Sequence, residues 1–265
     1  MIQARTRWSA SPKVLVLSIA AVVALACSPH PIEAPGVLPR IQLQVDGNPG
    51  PDTVIYRRSI TRGGQDSIAG TRTVVRRVLA GPDGTPLLEI EQRFPAGGGE
   101  IVDTALAELR TLRAVAHRSH QPTRTMRFVF AGKDVEGTVA SAGPTGDSVT
   151  AVHQAVGGPI FDSNVLDLVV AALPLRRQFT AELPFFIYER GGRVVMPVAV
   201  RDRADVTFSE LGQRDVWIVT VGVPGAPATV WVDARTRAVL RVRYDISARG
   251  LSFTDERATT LVKKG

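Results

Sequence analysis

A chain of 265 residues with a formal net charge of +7 and 44% hydrophobic residues has enough material for one large or two small domains with a real core. Its arginines, among them Arg57-Arg58, Arg76-Arg77, Arg241 and Arg243, are spread through strand-like segments without a basic tract or an aromatic-and-basic recognition pattern, so nucleic acid is not indicated as a partner. They point instead to a solvated sheet face, with weak attraction to anionic lipid headgroups as the functional alternative.

Met1 to Lys13 carries Arg5, Arg7 and Lys13 with no acidic residue and leads into an apolar run from Val14 to Ala26, the order of an export signal. The run is shorter than the roughly 20 residues a bilayer-spanning helix needs, so a permanent transmembrane anchor is the weaker reading. It closes on Val23-Ala24-Leu25-Ala26-Cys27, which resembles the lipobox of bacterial lipoproteins, with Ala24 standing where leucine is commonest. That resemblance implies a signal peptide over residues 1–26 and an acylated Cys27 as the new N-terminus. An incidental small residue in a leader is the plain alternative. Cys27 is the one cysteine, so it has no intramolecular disulfide partner. Acyl chains at about 0.8 kcal/mol per buried methylene would anchor a soluble domain to a membrane. Residues 27–40, with Pro29, Pro31, Pro35 and Pro39, read as a lipidated start and an extended tether of roughly 40 Å. Residues 41–265 read as a single β-rich domain.

From Thr53 onward, short runs of valine, isoleucine, leucine and aromatics alternate with glycine, proline and aspartate turns, among them Gly63-Gly64, Gly81-Pro82-Asp83-Gly84 and Gly191-Gly192. This is the pattern of about a dozen successive antiparallel strands. Met126, Phe128 and Phe130 share one face of such a strand. After Gly157-Gly158-Pro159 the rhythm breaks. Asp162 to Leu173 offers Asp162 or Ser163 as N-cap, then Val165, Leu166, Leu168, Val169, Val170, Ala172 and Leu173, with Pro174 as the stop. The segment is apolar nearly all round, so it predicts a short helix buried against the sheet. Beyond it, Phe179, Ala181, Leu183, Phe185 and Ile187 alternate with Thr180, Glu182, Pro184, Phe186 and Tyr188, predicting one wholly apolar face. Val194, Met196, Val198 and Val200 repeat the design on the next strand, and Leu240, Val242, Tyr244 and Ile246 on a later one. Pro184 and Pro197 cannot donate to a ladder and belong at an edge or a bulge.

Twist accumulates in a sheet of this size, so it must curl, split or close. The expected fold is mainly β, a large curved antiparallel sheet forming a half-barrel around one short helix, with two stacked sheets as the runner-up. Ile160 to Asn164, Leu173-Pro174-Leu175 and Val230 to Arg237 resemble the DUF3108 family of bacterial envelope proteins, with Val102-Asp103 and Leu112-Arg113 similar to its first half. The strand ending in Trp231-Val232-Asp233, followed by Leu240-Arg241-Val242, is also similar in style to the lipoprotein carriers LolA and LolB. That resemblance implies an incomplete antiparallel barrel with a helical lid, which in those carriers shelters acyl chains. LolB is the anchored type; Cys27 disfavours a soluble LolA-like shuttle.

The sequence carries no nucleophile elbow, phosphate loop or His-Glu-x-x-His helix, so no catalytic residue, cofactor or metal is nominated and no enzyme activity is expected. His117 and His120, with Asp103, are the nearest approach to a zinc site or a hydrolase, but positions three apart on a strand point to opposite faces. His153, Asp162, Asp202 and Asp205 sit in turn-like contexts where caps are the default. The expected site is therefore an apolar cavity between sheet and helix, walled by Phe128, Phe130, Leu166, Val169, Val170, Phe179, Leu183, Phe185, Met196, Trp217, Trp231 and Tyr244. It would hold an acyl chain or another lipoprotein's lipid, in a protein anchored through Cys27 at the periplasmic face of the outer membrane. Core packing is the plain alternative for each residue, and an envelope interaction module with a packed core, binding a protein or polysaccharide, is the alternative for the whole. Oligomeric state is left open.

Overall fold

The computed structural model describes residues 52–262 apart from 97, 144–145, 189–190, 224–225 and 247–249. The leader, Cys27 and the proline-rich tether lie outside the described residues. Eight strands form the first wing: β1 (Asp52–Arg62), β2 (Gln65–Ala80), β3 (Pro86–Ala96), β4 (Gly99–Glu108), β5 (Ala114–Gln121), β6 (Arg124–Ala131), β7 (Asp134–Gly143) and β8 (Gly146–Ala155). The second wing holds β9 (Phe161–Asp162), a 3₁₀ turn (Ser163–Val165), helix α1 (Leu166–Ala172), β10 (Thr180–Ile187), β11 (Gly192–Phe208), β12 (Gly212–Val223), β13 (Ala226–Asp233), β14 (Val239–Ile246) and β15 (Leu251–Val262).

All fifteen strands make one sheet in the order β8-β7-β6-β5-β4-β3-β2-β1-β15-β14-β13-β12-β11-β10-β9. The chain starts at the middle, meanders outward along one wing, jumps from β8 to β9, and meanders back until β15 pairs with β1. Every pairing is antiparallel except β9 with β10. The two-stacked-sheet alternative is thereby overturned. Curvature has local causes as well as twist, since the ladder slips at Ile55/Tyr56, Arg58/Ser59, Leu106/Ala107, Val200/Asp202 and Trp231/Val232. Bulges of this kind bend a strand and increase its twist. The sheet does not close, but its β9 end folds back until the Ala114 amide donates to the Ile160 carbonyl at 2.9 Å.

Alternation decides which side chains enter the concavity. Val54 and Tyr56 of β1, Leu88 and Ile90 of β3, and Val230 and Val232 of β13 point inward and are buried in the main core with α1. A second core gathers Met126, Phe128 and Val135 of the first wing with Val156, Ile160 and, from β10, Phe186. A third lies around Phe208, Val216 and Leu240. Here Leu240 is the extra residue of the β13–β14 slip, which pairs Trp231 with Arg241 and then Val232 with Val239.

Several expectations are corrected. The helix is seven residues long, because Ser163–Val165 take the tighter 3₁₀ turn and Leu173 is already extended. β10 has no wet face near its end: Pro184, Phe185 and Phe186 are all buried, Phe185 against the main core and Phe186 against the second, because this strand runs between the two. Arg58 is not on a solvated face but 7% exposed within the fold. His153, Asp202 and Asp205 stand in strands rather than turns. Pro184 and Pro197 do sit where ladders run out, since β10 meets β9 only at Phe185 and Phe186, and β11 meets β12 from Val198 onward.

Candidate functional site in the filled concavity

The segment from Asp162 to Leu173 plugs the concave side of the sheet. Its start is fixed by Asp162, whose carboxylate accepts from the Asn164 amide at 2.8 Å, as an N-cap does. The same carboxylate faces His117 Nδ1 of β5 at 3.0 Å, with both side chains buried, and the imidazole stacks on Tyr188 at 3.9 Å. Next along the plug, the Asn164 carbonyl accepts from Gln92 Nε2 of β3. Asp167, in the first turn of α1, lies 3.5 Å from Arg72 Nη2 of β2. At the far end Arg237 Nη2 donates to the Leu173 carbonyl. Arg237 holds a φ of 60°, which is uncommon for a residue with a side chain. A two-turn helix has little stability of its own. Four polar contacts and the apolar packing hold it.

Beneath α1 lies a buried charge cluster. Arg58 forks onto its cross-strand neighbour Asp255 at 2.7 and 2.8 Å, and Arg72 Nε stands 3.3 Å from the same carboxylate. Arg72 also donates to Gln92 Oε1 at 3.2 Å and lies over the Tyr56 ring at 4.7 Å, while Arg58 covers Phe94 at 4.4 Å. Two cations thus meet two anions, Asp255 and Asp167. Burial works against ionised Asp255, but Arg72 and Arg58 outweigh it and hold its carboxyl below the usual range. For Arg72 burial acts downward, and Asp255 and Asp167 reverse the direction to a raised value. Burial, helped by Asp167, pushes Tyr56 up to about 12. Burial first, with Asp167 and Asp255 adding to it, does the same for Tyr244.

The expected cavity wall separates into three groups. Leu166, Val169, Val170, Phe179, Leu183, Phe185, Met196 and Trp217 come together in the main core, with Tyr244 packed on its margin. Phe128 and Phe130 belong to the second core and pack on Phe186 instead. Trp231 points out of the other face, under Arg241 at 5.4 Å, because it alternates with the inward Ala228, Val230 and Val232 along β13. Val169, Val170 and Phe185 are 0% exposed, so the plug and wall fill one another. Among the described residues a cleft of about 220 Å³ lies elsewhere, lined by Arg177, Gln178, Val200, Arg201 and Asp202.

His117 faces inward and His120 is exposed on the other side of β5, so the two imidazoles cannot converge on one ion. No cluster of three potential metal ligands occurs among the described residues, and no described helix is long and apolar enough to cross a membrane.

Sequence reasoning missed Arg58, Arg72, Gln92, Asp167 and Asp255. The signal was present in phase: Arg58 continues the inward series Val54, Tyr56, and Gln92 the series Leu88, Ile90. A charged or amide side chain on the apolar phase of a strand is a buried polar group that must find partners.

An open, mostly antiparallel sheet wrapped around a short helical plug defines a β-rich half-barrel. The family model described as a protein of unknown function (DUF3108) matches residues 71–254, and the chain belongs to that family. No curated protein matches. Two solved structures are similar in outline. One is a beta-barrel-like protein of domain of unknown function DUF1849 from Brucella abortus, 10% identical, with a TM-score of 0.48 over 84% of this chain and 100% of that one. The other is a DUF1329 family protein from Desulfovibrio piger, also 10% identical, with a TM-score of 0.30 over 82% of this chain and 88% of that one.

Proposed function

We propose that this chain is a lipid-anchored, non-enzymatic binding protein of the bacterial envelope, held through Cys27 at the periplasmic face of the outer membrane, which takes an apolar group on its concave face by displacing the plug. The observation that carries this reading is the plug itself, a seven-residue helix of almost wholly apolar composition lying on an apolar wall and held by polar contacts to separate strands. Swinging it out would uncover Phe179, Leu183, Phe185 and Met196, a surface suited to an acyl chain or another lipoprotein's lipid. It would also remove Asp167 from Arg72, leaving two buried cations with one carboxylate. An acyl ligand with an anionic head would restore that balance. The similarity in style to LolA and LolB supports the same reading.

The filled interior favours a second reading, an interaction module with a permanently packed core that binds a protein or polysaccharide. Native mass spectrometry of the full chain carrying Cys27→Ser, with displacement of a fluorescent fatty acid, separates the two. Co-purified lipid and saturable displacement are expected for the carrier. A lipid-free chain that takes up no fatty acid would leave the interaction module.

A further inference from the structure

The two ends of the sheet are finished differently. At one, β9 is two residues long and runs parallel, and Pro184 of β10 stands just outside the two residues that β9 pairs with, Phe185 and Phe186. Short edge strands and proline are devices that stop a sheet from adding strands. The other end is β8, ten residues GDSVTAVHQA with no proline and no lysine, paired to β7 in unbroken register from Asp134↔Ala155 to Gly143↔Gly146. It carries no bulge and is exposed over most of its length, with Val149 at 72%.

Its hydrogen-bonding phase is fixed by the next residue along, since the Val156 amide turns back across β7 to the Lys133 carbonyl at 2.7 Å. Backbone groups alternate sides along a strand, so even-numbered residues of β8 bond to β7. Asp147, Val149, Ala151 and His153 therefore direct their amides and carbonyls away from the sheet.

We infer that β8 is a homodimer edge, pairing antiparallel with β8 of a second copy about a two-fold axis at Thr150. That centre makes the outward-bonding residues meet as hydrogen-bonded pairs, Val149 with Ala151 and Asp147 with His153, each occurring twice. It sets the Asp147 carboxylate opposite an imidazole of the other copy, covers Val149, and places Thr150 against itself in a non-hydrogen-bonded pair. His153 already has Glu136 at 3.5 Å on its own sheet, so two carboxylates flank it in the dimer. The self-complementary register is what selects a second copy over another strand donor, because a closed two-fold interface needs the same patch on both sides.

The register makes a sharp test. Facing residues of a non-hydrogen-bonded pair have Cα atoms about 4.5 Å apart, within disulfide range. In the full chain with Cys27→Ser, Thr150→Cys should cross-link into a covalent dimer on mild oxidation, whereas Val149→Cys, which faces Ala151, should not. Sedimentation of the Cys27→Ser chain should show a concentration-dependent dimer. Ala151→Pro, which removes an outward amide without touching the β7 ladder, and Thr150→Lys, which sets like charges face to face, should each weaken it by roughly tenfold or more at an unchanged melting temperature. A monomer from micromolar to submillimolar concentration with no Thr150→Cys cross-link would overturn the inference, and so would a dimer cross-linked equally well through Val149→Cys.

Discussion

Asp255 is the residue on which the interior charge balance turns. It is 0% exposed and bonded to two guanidinium groups. Removing one partner of a buried ion pair is strongly destabilising because the other charge stays behind. Asp255→Asn should therefore lower stability by about 3 kcal/mol or more, read as a lower urea midpoint at unchanged slope. The lowered pKa of Asp255 gives the sign of the acid dependence: its contribution is fully present above the unfolded carboxyl value of about 3.9 and is lost as pH falls through the lower folded value. Tyr56 and Tyr244 act at the opposite end. Their folded values of about 12 lie above the unfolded value of about 10, so their contribution holds below about pH 10 and disappears as pH rises towards 12. An absorbance titration of phenolate should place both ionisations near 12, and Tyr56→Phe should remove one of them. A different constraint falls on Gly137, where a Cβ would collide with the Arg127 carbonyl and lie 2.7 Å from the Phe128 ring. Gly137→Ala should cost about 1–3 kcal/mol through this forced separation of β6 and β7, measured by thermal or urea unfolding.

At the level of elements, the plug is held by a small set of latches that can be released singly. Asp167→Asn weakens its contact with Arg72, and Gln92→Ala removes the donor to the Asn164 carbonyl. If the plug must leave for a ligand to enter, each substitution should shift the equilibrium by about 1 kcal/mol, or roughly fivefold, towards the open form. Fluorescent fatty acid should then bind about fivefold tighter while global stability falls. Unchanged or weaker uptake in both variants would mean that the plug is permanent. The sequence foretold this element through Asp162 as N-cap and the apolar run behind it, but not its length. Whether a turn closes as 3₁₀ or α depends on what Asp162 and Asn164 meet on β5 and β3, and those strands are distant in sequence. Trp231 illustrates the same limit. Alternation along β13 sets it opposite Val230 and Val232, but which of the two faces meets the core depends on how β12 and β14 pair with that strand. Phe186 shows a further limit, since alternation predicts one apolar face for β10, whereas the strand lies between two cores and buries both.

The whole molecule was the most legible level, since dispersed glycine and proline punctuation, period-two runs and the one apolar helix were enough to anticipate a single curved sheet around a plug. The interior charges were less legible, because dispersed strand arginines fit a solvated face and only its phase with Val54 and Tyr56 marks Arg58 as inward. Function at this scale rests on whether the concave face can be opened to an acyl chain. Two tryptophans report this directly, because Trp217 belongs to the inner wall and Trp231 to the outer face. The measurement is quenching by a brominated fatty acid of the full chain in which Trp8 and either Trp231 or Trp217 are replaced by phenylalanine. The account predicts saturable quenching of Trp217, strengthened by Asp167→Asn, with Trp231 unaffected. Equal or absent quenching of the two would contradict it.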